Sequence, residues 1–575
     1  MCSLIIEVKI LWICAGKMNL FLAKWVLVIG TVVLAIGCSS SGSMPTLIPN
    51  NTDNLPIPQP TAVISTAPLG VNGGTLTLVA TSEIPHKDVH QEVQETLTAL
   101  GPGLAYSRLL RLRSGEGNQP NLLLECDLCQ SWHLTNDLSY IFNLRPSVHW
   151  QNIAPVNGRT LTANDVVFSL NRLKTPGWPN AALLSSIGEV EALEELTIQV
   201  DLILKDADAL LALADGHTKI VAPEAVAVTG DLKDGPVIGT GPWIWQENAD
   251  ERMEFTRNPD YFEKELPFLD QLNVAIMRSS PLVKTSNSNK VAAFHAGLID
   301  VLPVGPSEWN MVRSGDYEFQ TTISRRSGAG VVLAMNSQKA GLKETSVRQA
   351  VFQAIDPWDY LDTVWSGEGF ASVGVPVKET DWLLDRSEMR QQFFADPGKA
   401  RQLLLASGLT LPIKLEISIR TERTGIWNLR LEEKLISDLT AVGFTPELRR
   451  MNPVQFNDLV IGTAKDFQLA VGAIPPTSTT NSYLFGLLHS QGQWNLAVHN
   501  DSQLDSMIEE QAAEFDNGIR RDQLVDIQRR ILDQAYIFSP VTAISRWVYS
   551  NDLKGFQPHT ALSEYHFWSR TWLDR

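Results

Sequence analysis

Leu161-Thr162-Ala163-Asn164-Asp165-Val166-Val167-Phe168-Ser169-Leu170 is the stretch from which the fold is most readily predicted. Thr162 and Asp165 form a variant capping box, and the apolar residues that follow recur at helical spacing. Apolar and polar residues alternate before this helix, at Leu138, Tyr140, Phe142 and Leu144, and after it, at Leu196, Ile198, Val200 and Leu202. A helix between strands that each bury one face predicts an α/β protein.

The same signals continue outward in both directions. Further strands are predicted at residues 75–80, 272–276, 413–419 and 467–472. Helix starts are marked by Ser346 with Gln349, by Asp356 before Pro357 and by Asp396 before Pro397, and later helices are predicted at 427–442, 501–515 and 520–535. The chain of 575 residues carries no internal repeat and is long enough for two or three globular units.

Residues 239–242 read Gly-Thr-Gly-Pro, which predicts a tight turn between strands. Glycine accepts a positive φ in such a turn, and Pro242 fixes the bend that follows. We therefore expect Gly239 and Gly241 to shape the backbone of the fold and not to determine which solute binds.

The N-terminal segment indicates export. Lys17 precedes an apolar run over residues 20–37 that only Lys24 interrupts, and Leu34-Ala35-Ile36-Gly37-Cys38 resembles a bacterial lipobox. Ala35 stands where this motif usually has Leu. We predict a signal peptide at 1–38 with lipidation of Cys38; a retained transmembrane anchor is the alternative, and Met18 is a possible start. Residues 39–72 are rich in Pro, Ser and Thr, which predicts a tether.

Composition excludes some classes of function. A hydrophobic share of 44% with only 19% charged residues indicates a large core, and the formal charge of −17 argues against a nucleic-acid partner. Of five cysteines, Cys126 and Cys129 remain in the folded part. Their spacing outside the reducing cytosol allows a local disulfide or two buried thiols, and redox or metal chemistry is the weaker reading.

The sequence lacks the motifs that nominate a catalyst. It contains no nucleophile elbow, no H-E-x-x-H zinc motif and no glycine-rich phosphate loop. His86 and His90 are four residues apart, but Pro85 and polar neighbours favour an exposed loop or first helical turn over a metal site. We predict that the chain is not an enzyme and needs no cofactor or metal.

Seven short segments occur in a fixed order: residues 127–132, 138–146 and 161–170, then Ile238-Gly239-Thr240-Gly241-Pro242-Trp243, Arg257-Asn258-Pro259-Asp260-Tyr261-Phe262, Ala296-Gly297-Leu298-Ile299-Asp300-Val301 and residues 347–356. Together they resemble the family 5 extracellular solute-binding proteins, which are the peptide, opine and nickel-chelate receptors of ABC importers. The resemblance spans roughly residues 75–570.

This resemblance implies a two-lobed α/β fold of the periplasmic-binding-protein type, class II, with an extra subdomain inserted in lobe one. On that pattern lobe one comprises residues 73–104, 236–325 and 541–575, the inserted subdomain comprises 105–235, and lobe two comprises 326–540. Only a ligand that contacts both lobes with higher affinity in the closed state can shift the molecule toward closure.

Pocket residues are therefore expected where strands end in both lobes. Ser82 and Glu83 follow the first strand of lobe one, whereas Ile474, Thr477 and Ser478 follow the 467–472 strand of lobe two. In peptide receptors this second loop resembles a segment with Trp and Asp, and the Asp pairs with the peptide amino group. Here the loop has neither residue, and a buried ammonium without a carboxylate is costly.

Two side chains leave alternatives open. Glu83 is a candidate for the missing carboxylate, and the alternative is a solvated loop residue. Trp365 is expected near the cleft, where it either stacks on the ligand or packs in the core or at the rim. Both assignments rest on the family pattern.

The sequence thus predicts a monomeric, extracytoplasmic receptor anchored to the membrane through lipidated Cys38. It captures an oligopeptide or a similar polar solute and delivers it to the permease subunits of an ABC importer. A nickel-chelate or haem receptor of the same family, or a ligand-sensing lipoprotein without transport, are the alternatives.

Overall fold

A computed structural model describes residues 70–113, 122–136, 138–176, 178–246, 252–277, 286–420, 429–473, 479–559 and 563–575. The predicted lipidation site Cys38 and the predicted pocket residues Ile474, Thr477 and Ser478 lie outside the described residues. No helix in the described ranges is both long enough and apolar enough to cross a bilayer.

The strands are β1 (Thr75–Ala80), β2 (Leu110–Leu112), β3 (Leu124–Cys126), β4 (Cys129–Asn136), β5 (Ser139–Leu144), β6 (Ile187–Glu194), β7 (Thr197–Leu202), β8 (Trp243–Gln246), β9 (Arg252–Arg257), β10 (Gln271–Ile276), β11 (Val301–Val304), β12 (Phe319–Met335), β13 (Phe370–Ser372), β14 (Ile413–Arg420), β15 (Phe444–Met451), β16 (Leu469–Ala473), β17 (Ile537–Ser550), β18 (Leu553–Lys554) and β19 (Trp572–Leu573). The helices are α1 (Glu95–Ala99), α2 (Ala163–Leu173), α3 (Ala209–Ala214), α4 (Pro223–Ala227), α5 (Ser286–His295), α6 (Pro306–Arg313), α7 (Thr345–Ala354), α8 (Pro357–Trp365), α9 (Arg386–Phe393), α10 (Pro397–Ala406), α11 (Leu429–Val442), α12 (Pro453–Phe456), α13 (Thr480–Leu488), α14 (Ser502–Ala512) and α15 (Asn517–Asp533).

One four-stranded sheet has the order β1-β10-β9-β8, with β1 and β10 parallel. Its core combines residues from both ends of the described chain, because Leu76 and Leu78 of β1 share a hydrophobic cluster with Tyr565, Trp568 and Leu573. The first strand and the C-terminal segment therefore belong to one folded unit.

A second four-stranded sheet, in the order β4-β5-β7-β6, is antiparallel throughout. Tyr140, Phe142 and Leu144 are the buried residues of β5 and alternate with half-buried ones, as the sequence predicted. The capping box of α2 is confirmed, since the backbone N–H of Thr162 donates to the Asp165 carboxylate at 2.9 Å. This sheet and helices α2, α3 and α4 enclose a separate core.

The largest sheet has seven strands, in the order β11-β17-β12-β16-β14-β15, with β13 paired to β17. Strands β14, β15 and β16 are parallel, whereas the long strands β12 and β17 run antiparallel to each other. Helices α7, α8, α10, α11, α13, α14 and α15 contribute apolar side chains to the core beside this sheet.

Two predicted helix starts are wrong. Helix α7 begins at Thr345 after an extended Glu344, so Ser346 lies inside the first turn and does not cap the helix. Helix α15 begins at Asn517, earlier than predicted, because the carboxylate of Asp516 accepts two backbone N–H groups of the first turn. Asparagine is a poor helix former, and the aspartate cap outweighs that preference here.

The glycines of the 239–242 segment are needed for a different reason from the predicted one. Neither Gly239 nor Gly241 has a φ angle in the left-handed region. A Cβ atom on Gly239 would lie 1.8 Å from the carbonyl oxygen of Ala105, and one on Gly241 would lie 2.8 Å from the same atom. The close approach of two backbones therefore excludes a side chain at these positions.

A buried ion pair joins the C-terminal segment to the chain near β2. The Nη2 atom of Arg108 lies 2.8 Å and 2.9 Å from the two carboxylate oxygens of Glu564, and both side chains are almost fully buried. The same carboxylate accepts the backbone N–H groups of Leu112, Tyr565 and His566. Burial opposes ionisation, but the Arg108 cation outweighs it and holds the pKa of Glu564 well below its usual range.

His90 gives the fold a dependence on pH. The exposed position expected for His90 from the sequence is wrong: its ring is fully buried, and Nε2 donates to the carbonyl oxygen of Lys219 at 2.8 Å. Burial, followed by the nearby Arg172 cation, lowers the pKa of His90 to about 4. The neutral ring is therefore retained in the folded state, whereas the unfolded chain takes up a proton near the ordinary histidine pKa of about 6.5. This contribution to stability is full above about pH 6.5 and is lost as the pH falls toward about 4.

Replacement of His90 by Gln is expected to flatten that dependence. Between about pH 7 and about pH 4.5 the wild-type free energy of unfolding should fall by about 2 kcal/mol more than that of the variant. Urea denaturation at both pH values measures the difference. His499 and His566, whose pKa values burial also lowers, keep part of the acid sensitivity in both proteins. An equal loss in both proteins would contradict the role of His90.

Candidate functional site

The long strands β12 and β17 connect two parts of the largest sheet. Residues 319–325 of β12 pair with residues 544–550 of β17, next to β11, whereas residues 330–334 pair with residues 537–542, next to β13 and β16. The register shifts between Arg325 and Gly330. Both residue pairs at which the sequence predicted a lobe boundary, 325/326 and 540/541, lie on these two strands.

The first part of this sheet adjoins the β1 sheet. The backbone N–H of Asp300 donates to Thr77 of β1 at 2.8 Å, and the Asp300 carboxylate accepts the Thr77 N–H at 2.7 Å. Strand β11 follows Asp300 directly. The β1 sheet and the β11 side of the largest sheet are therefore one body, and β12 and β17 lead from it to the β14–β16 side.

The parallel strands β14, β15 and β16 of the second part end near the segment where β12 and β17 pass from one part of the sheet to the other. Ala473, the last residue of β16, pairs with Val331, just after the register shift of β12. Strands β14 and β15 run parallel to β16 and end at the same edge, at Arg420 and Met451. Loops at the carboxyl ends of parallel strands are where α/β sheets bind ligands. The predicted loop after β16 therefore begins at the edge of the sheet that is nearest to the register shift of β12.

Arg546 makes a charged contact where β12 and β17 pass between the two parts of the largest sheet. The guanidinium of Arg546 on β17 lies 4.4 Å from the ring centroid of Trp309 on α6 and donates to Glu368 at 2.8 Å. Trp309 precedes β12, whereas Glu368 follows α8 beyond it. Arg546 and Glu368 are each only 14% exposed, so the pair is largely shielded from water. Sequence reasoning missed all three residues, because they are far apart in the chain and belong to no motif.

Ser82 lies in a polar cluster just after β1. Its hydroxyl is 2.9 Å from the hydroxyl of Thr96 and accepts the side-chain amide of Gln94 at 2.8 Å. The carbonyl oxygen of that Gln94 amide is buried and has no hydrogen-bond partner. The cluster therefore holds a buried acceptor without a partner beside a half-buried hydroxyl. Glu83 is exposed next to it.

Trp365 is a core side chain in this structure. It ends α8, is 3% exposed and packs in the hydrophobic cluster of the β14–β16 unit. The sequence left open whether Trp365 stacks on the ligand or packs in the core or at the rim, and in the structure it packs in the core. Trp365 is therefore not brought together with Ser82 and Glu83.

Cys126 and Cys129 form a disulfide between the end of β3 and the start of β4. Within the described ranges, no group of three or more His, Cys, Asp or Glu side chains is arranged to hold a metal ion.

A family model described as bacterial extracellular solute-binding proteins, family 5 Middle, matches residues 124–495. The chain belongs to this family. Heme-binding protein A of Haemophilus influenzae is 25% identical to it over 435 residues, which cover 70% of this chain and 75% of that protein. A protein named probable di/tripeptide-binding protein 5, of Pseudomonas aeruginosa, is 27% identical over 481 residues, covering 78% and 86% of the two chains.

Solved structures show the same fold. HbpA2 from Haemophilus parasuis superposes with a TM-score of 0.74 at 20% identity and covers 87% of this chain and 100% of that one. The ABC transporter substrate-binding protein CtaP from Listeria monocytogenes superposes with a TM-score of 0.73 at 18% identity and covers 88% and 100%. The two-lobed α/β fold expected from the sequence is confirmed, and this chain is a family 5 solute-binding protein.

Proposed function

We propose that this family 5 protein is the receptor of an ABC importer and holds an oligopeptide or a similar polar solute between its lobes. The observation that carries the proposal is the pair of strands β12 and β17, which joins two units. The carboxyl edge of strands β14–β16 lies beside the segment where these two strands pass from one unit to the other. A two-strand connection of this kind allows hinge motion, and closure on a ligand follows from differential affinity. Relatives named as di/tripeptide-binding and dipeptide-binding proteins support the peptide class.

The proposed lobes keep the boundaries predicted from the sequence. Lobe one comprises residues 73–104, 236–325 and 541–575 with the inserted subdomain 105–235, and lobe two comprises residues 326–540. Ser82 and Glu83 contribute from lobe one, and Ile474, Thr477 and Ser478 contribute from lobe two. The exposed Glu83 is the proposed partner of a ligand ammonium, because the lobe-two loop has no carboxylate.

Native mass spectrometry of gently purified protein tests the ligand class. We expect one small molecule per chain, released unchanged on denaturation and with the mass of a short peptide. Adding that peptide to stripped protein at about 100 times its Kd should raise the free energy of unfolding by about 2.7 kcal/mol. Release of a haem or a metal chelate would contradict the peptide proposal. Products that accumulate over many cycles would contradict a binding role.

The double substitution Thr477→Ala with Ser478→Ala is expected to raise the Kd of the released ligand about tenfold or more. Loss of two hydrogen bonds costs on the order of 1 kcal/mol each. Isothermal titration gives the Kd. The matched control is Thr445→Ala with Ser387→Ala, which removes the same groups from exposed positions of lobe two away from the β16 loop. Equal affinities in both double variants would remove the loop from the site.

The tether is also part of the proposal. We propose that Cys38 is lipidated and that residues 39–72 hold a monomeric receptor near the membrane. A radiolabelled fatty acid should be incorporated into the full-length chain and not into Cys38→Ala. Incorporation into both chains would contradict lipidation at this residue.

A further inference from the structure

The sequence contains three asparagines that are followed directly by glycine, at Asn72, Asn157 and Asn517. All three are exposed in the structure. Asparagine is a chemically labile residue, and a following glycine leaves the backbone nitrogen between them unobstructed because it has no Cβ atom. The sequence therefore offers three equivalent candidates for modification, whereas the structure separates them.

The reaction at an Asn-Gly pair needs only water. The glycine nitrogen loses its proton to hydroxide and attacks Cγ of the asparagine side chain. The bond from Cγ to the side-chain nitrogen breaks, that nitrogen leaves as ammonia, and a succinimide ring remains. Water then opens the ring at either carbonyl and leaves aspartate or isoaspartate, so that one water enters, one ammonia leaves and nothing is oxidised or reduced. A glycine N–H that already donates a hydrogen bond must first be released before its nitrogen can react.

Two of the three glycine N–H groups donate hydrogen bonds. The N–H of Gly73, just before β1, donates to the carbonyl oxygen of Phe268 at 2.8 Å. The N–H of Gly518 donates to the Asp516 carboxylate at 2.9 Å in the first turn of α15. Both nitrogens are therefore held by folded structure, and reaction at Asn72 or Asn517 requires local opening.

The N–H of Gly158 has no such bond. Among the described residues, no acceptor lies within hydrogen-bond distance of it. Asn157 has a φ angle of 53° and Gly158 one of 70°, so both residues adopt the left-handed backbone conformation. Glycine and asparagine are the residues that adopt this conformation most readily. The turn therefore favours the reactive pair and leaves its nitrogen available.

The Asn157 side chain closes the same turn. Its Nδ2 atom donates to the carbonyl oxygen of Pro155 at 2.9 Å, and its backbone N–H donates to the carbonyl oxygen of Ile153 at 2.9 Å. A carboxylate here has no hydrogen to donate to Pro155, and isoaspartate adds a methylene group to the backbone. The turn lies next to Gln151, which is 1% exposed and whose backbone N–H donates to Gly239 at 3.0 Å.

We propose that Asn157 is the preferred site of spontaneous deamidation in this protein and that its conversion weakens the turn at residues 153–158. The modified chain gains a negative charge and loses the hydrogen bond to Pro155. The inference goes beyond the proposed function, because it concerns the chemistry of the chain and not the solute. Purified protein should become heterogeneous at this one position with time.

Peptide mapping by mass spectrometry after incubation at mildly alkaline pH tests the assignment. In the folded full-length protein, Asn157 should convert about fivefold or more faster than Asn72 and Asn517, because each of these must first lose a hydrogen bond of ordinary strength. The same protein unfolded in urea is the control, and there the three sites should convert at similar rates. Equal rates in the folded protein, or faster conversion at Asn72 or Asn517, would overturn the proposal.

Asp516→Ala tests the physical reason. This change removes the acceptor of the Gly518 N–H, so conversion at Asn517 should accelerate while conversion at Asn157 stays unchanged. Asp522→Ala is the matched control, because this exposed carboxylate accepts from Arg521 and should leave all three rates unchanged. An Asn517 rate that Asp516→Ala does not alter would overturn the assignment from hydrogen bonding.

The effect on the turn is measured with the product-like variant Asn157→Asp. Its melting temperature should be lower than that of the parent, because the hydrogen bond to Pro155 is lost. Asn517→Asp adds the same charge at the start of α15, where the helix dipole stabilises it, and should melt no lower than the parent. Equal melting temperatures for the two variants would contradict the weakening of the turn.

Discussion

Replacement of Glu564 by Gln is expected to lower the free energy of unfolding by about 3 to 5 kcal/mol. Glu564 is the partner of the fully buried Arg108, and Lys219 lies nearby with its ammonium 3.2 Å from the ring centroid of Tyr565. A neutral amide cannot balance the Arg108 cation, and the protein interior cannot hydrate it. The C-terminal segment that carries Glu564 should therefore loosen from the chain near β2.

Urea denaturation of the stripped protein measures this loss. The matched control is Glu388→Gln, which removes the partner of Arg529 in an ion pair on the surface and should cost no more than about 1 kcal/mol. Hydrogen exchange should locate the Glu564→Gln effect in β2 and the C-terminal segment. A loss as small as that of the control would show that the buried pair does not anchor the C-terminal segment.

Replacement of Gly239 by Ala is expected to cost more than about 3 kcal/mol and to remove most soluble protein. The new Cβ atom would lie 1.8 Å from the carbonyl oxygen of Ala105 and 2.5 Å from its carbonyl carbon. Both are backbone atoms, so no side-chain rotation relieves the clash. The two chain segments would have to separate, which also breaks the hydrogen bond from Gly241 to Ala105 of 2.9 Å.

Soluble yield and melting temperature report the effect of Gly239→Ala. Gly518→Ala is the control, because the added Cβ would contact only the Asp516 carboxylate at 3.3 Å, at the start of α15. The control should retain the wild-type yield, since alanine favours a helix over glycine. A wild-type melting temperature for Gly239→Ala would refute the argument from close backbone approach.

Local patterns predicted much of the fold. The strands expected at 75–80, 272–276, 413–419 and 467–472 correspond to β1, β10, β14 and β16, and the caps Asp356 and Asp396 are confirmed. These elements carry their signal within a few residues, as alternation or as an aspartate before a proline. The resemblance to the family then predicted that these elements form two lobes.

Strands β12 and β17, which connect the two parts of the largest sheet, were not predicted. Strand β12 runs through Ser324-Arg325-Arg326-Ser327-Gly328-Ala329-Gly330, which has no alternation of apolar and polar residues. This segment bridges two units, so no single core imposes a period on it. Strand β17 contains Pro540, which argues against a central strand.

Contacts between distant residues were also beyond the sequence. The fold brings together Arg108 with Glu564 and Asp208 with Arg520, and no local spacing in the sequence indicates either pair. The polar cluster of Ser82 was predicted only as a loop position, and its partners Gln94 and Thr96 were missed because they lie at the start of the short helix α1. Trp365 was open between pocket and core, since an aromatic residue at a helix end fits both.

Small-angle X-ray scattering of the stripped and the ligand-loaded protein tests the central claim most directly. The account predicts that the radius of gyration falls when the ligand released from the native protein is added back in stoichiometric amount, because the lobes close around β12 and β17. Recovery of that ligand unchanged after the measurement belongs to the same result. An unchanged radius of gyration in a sample with proven full occupancy would contradict capture by lobe closure.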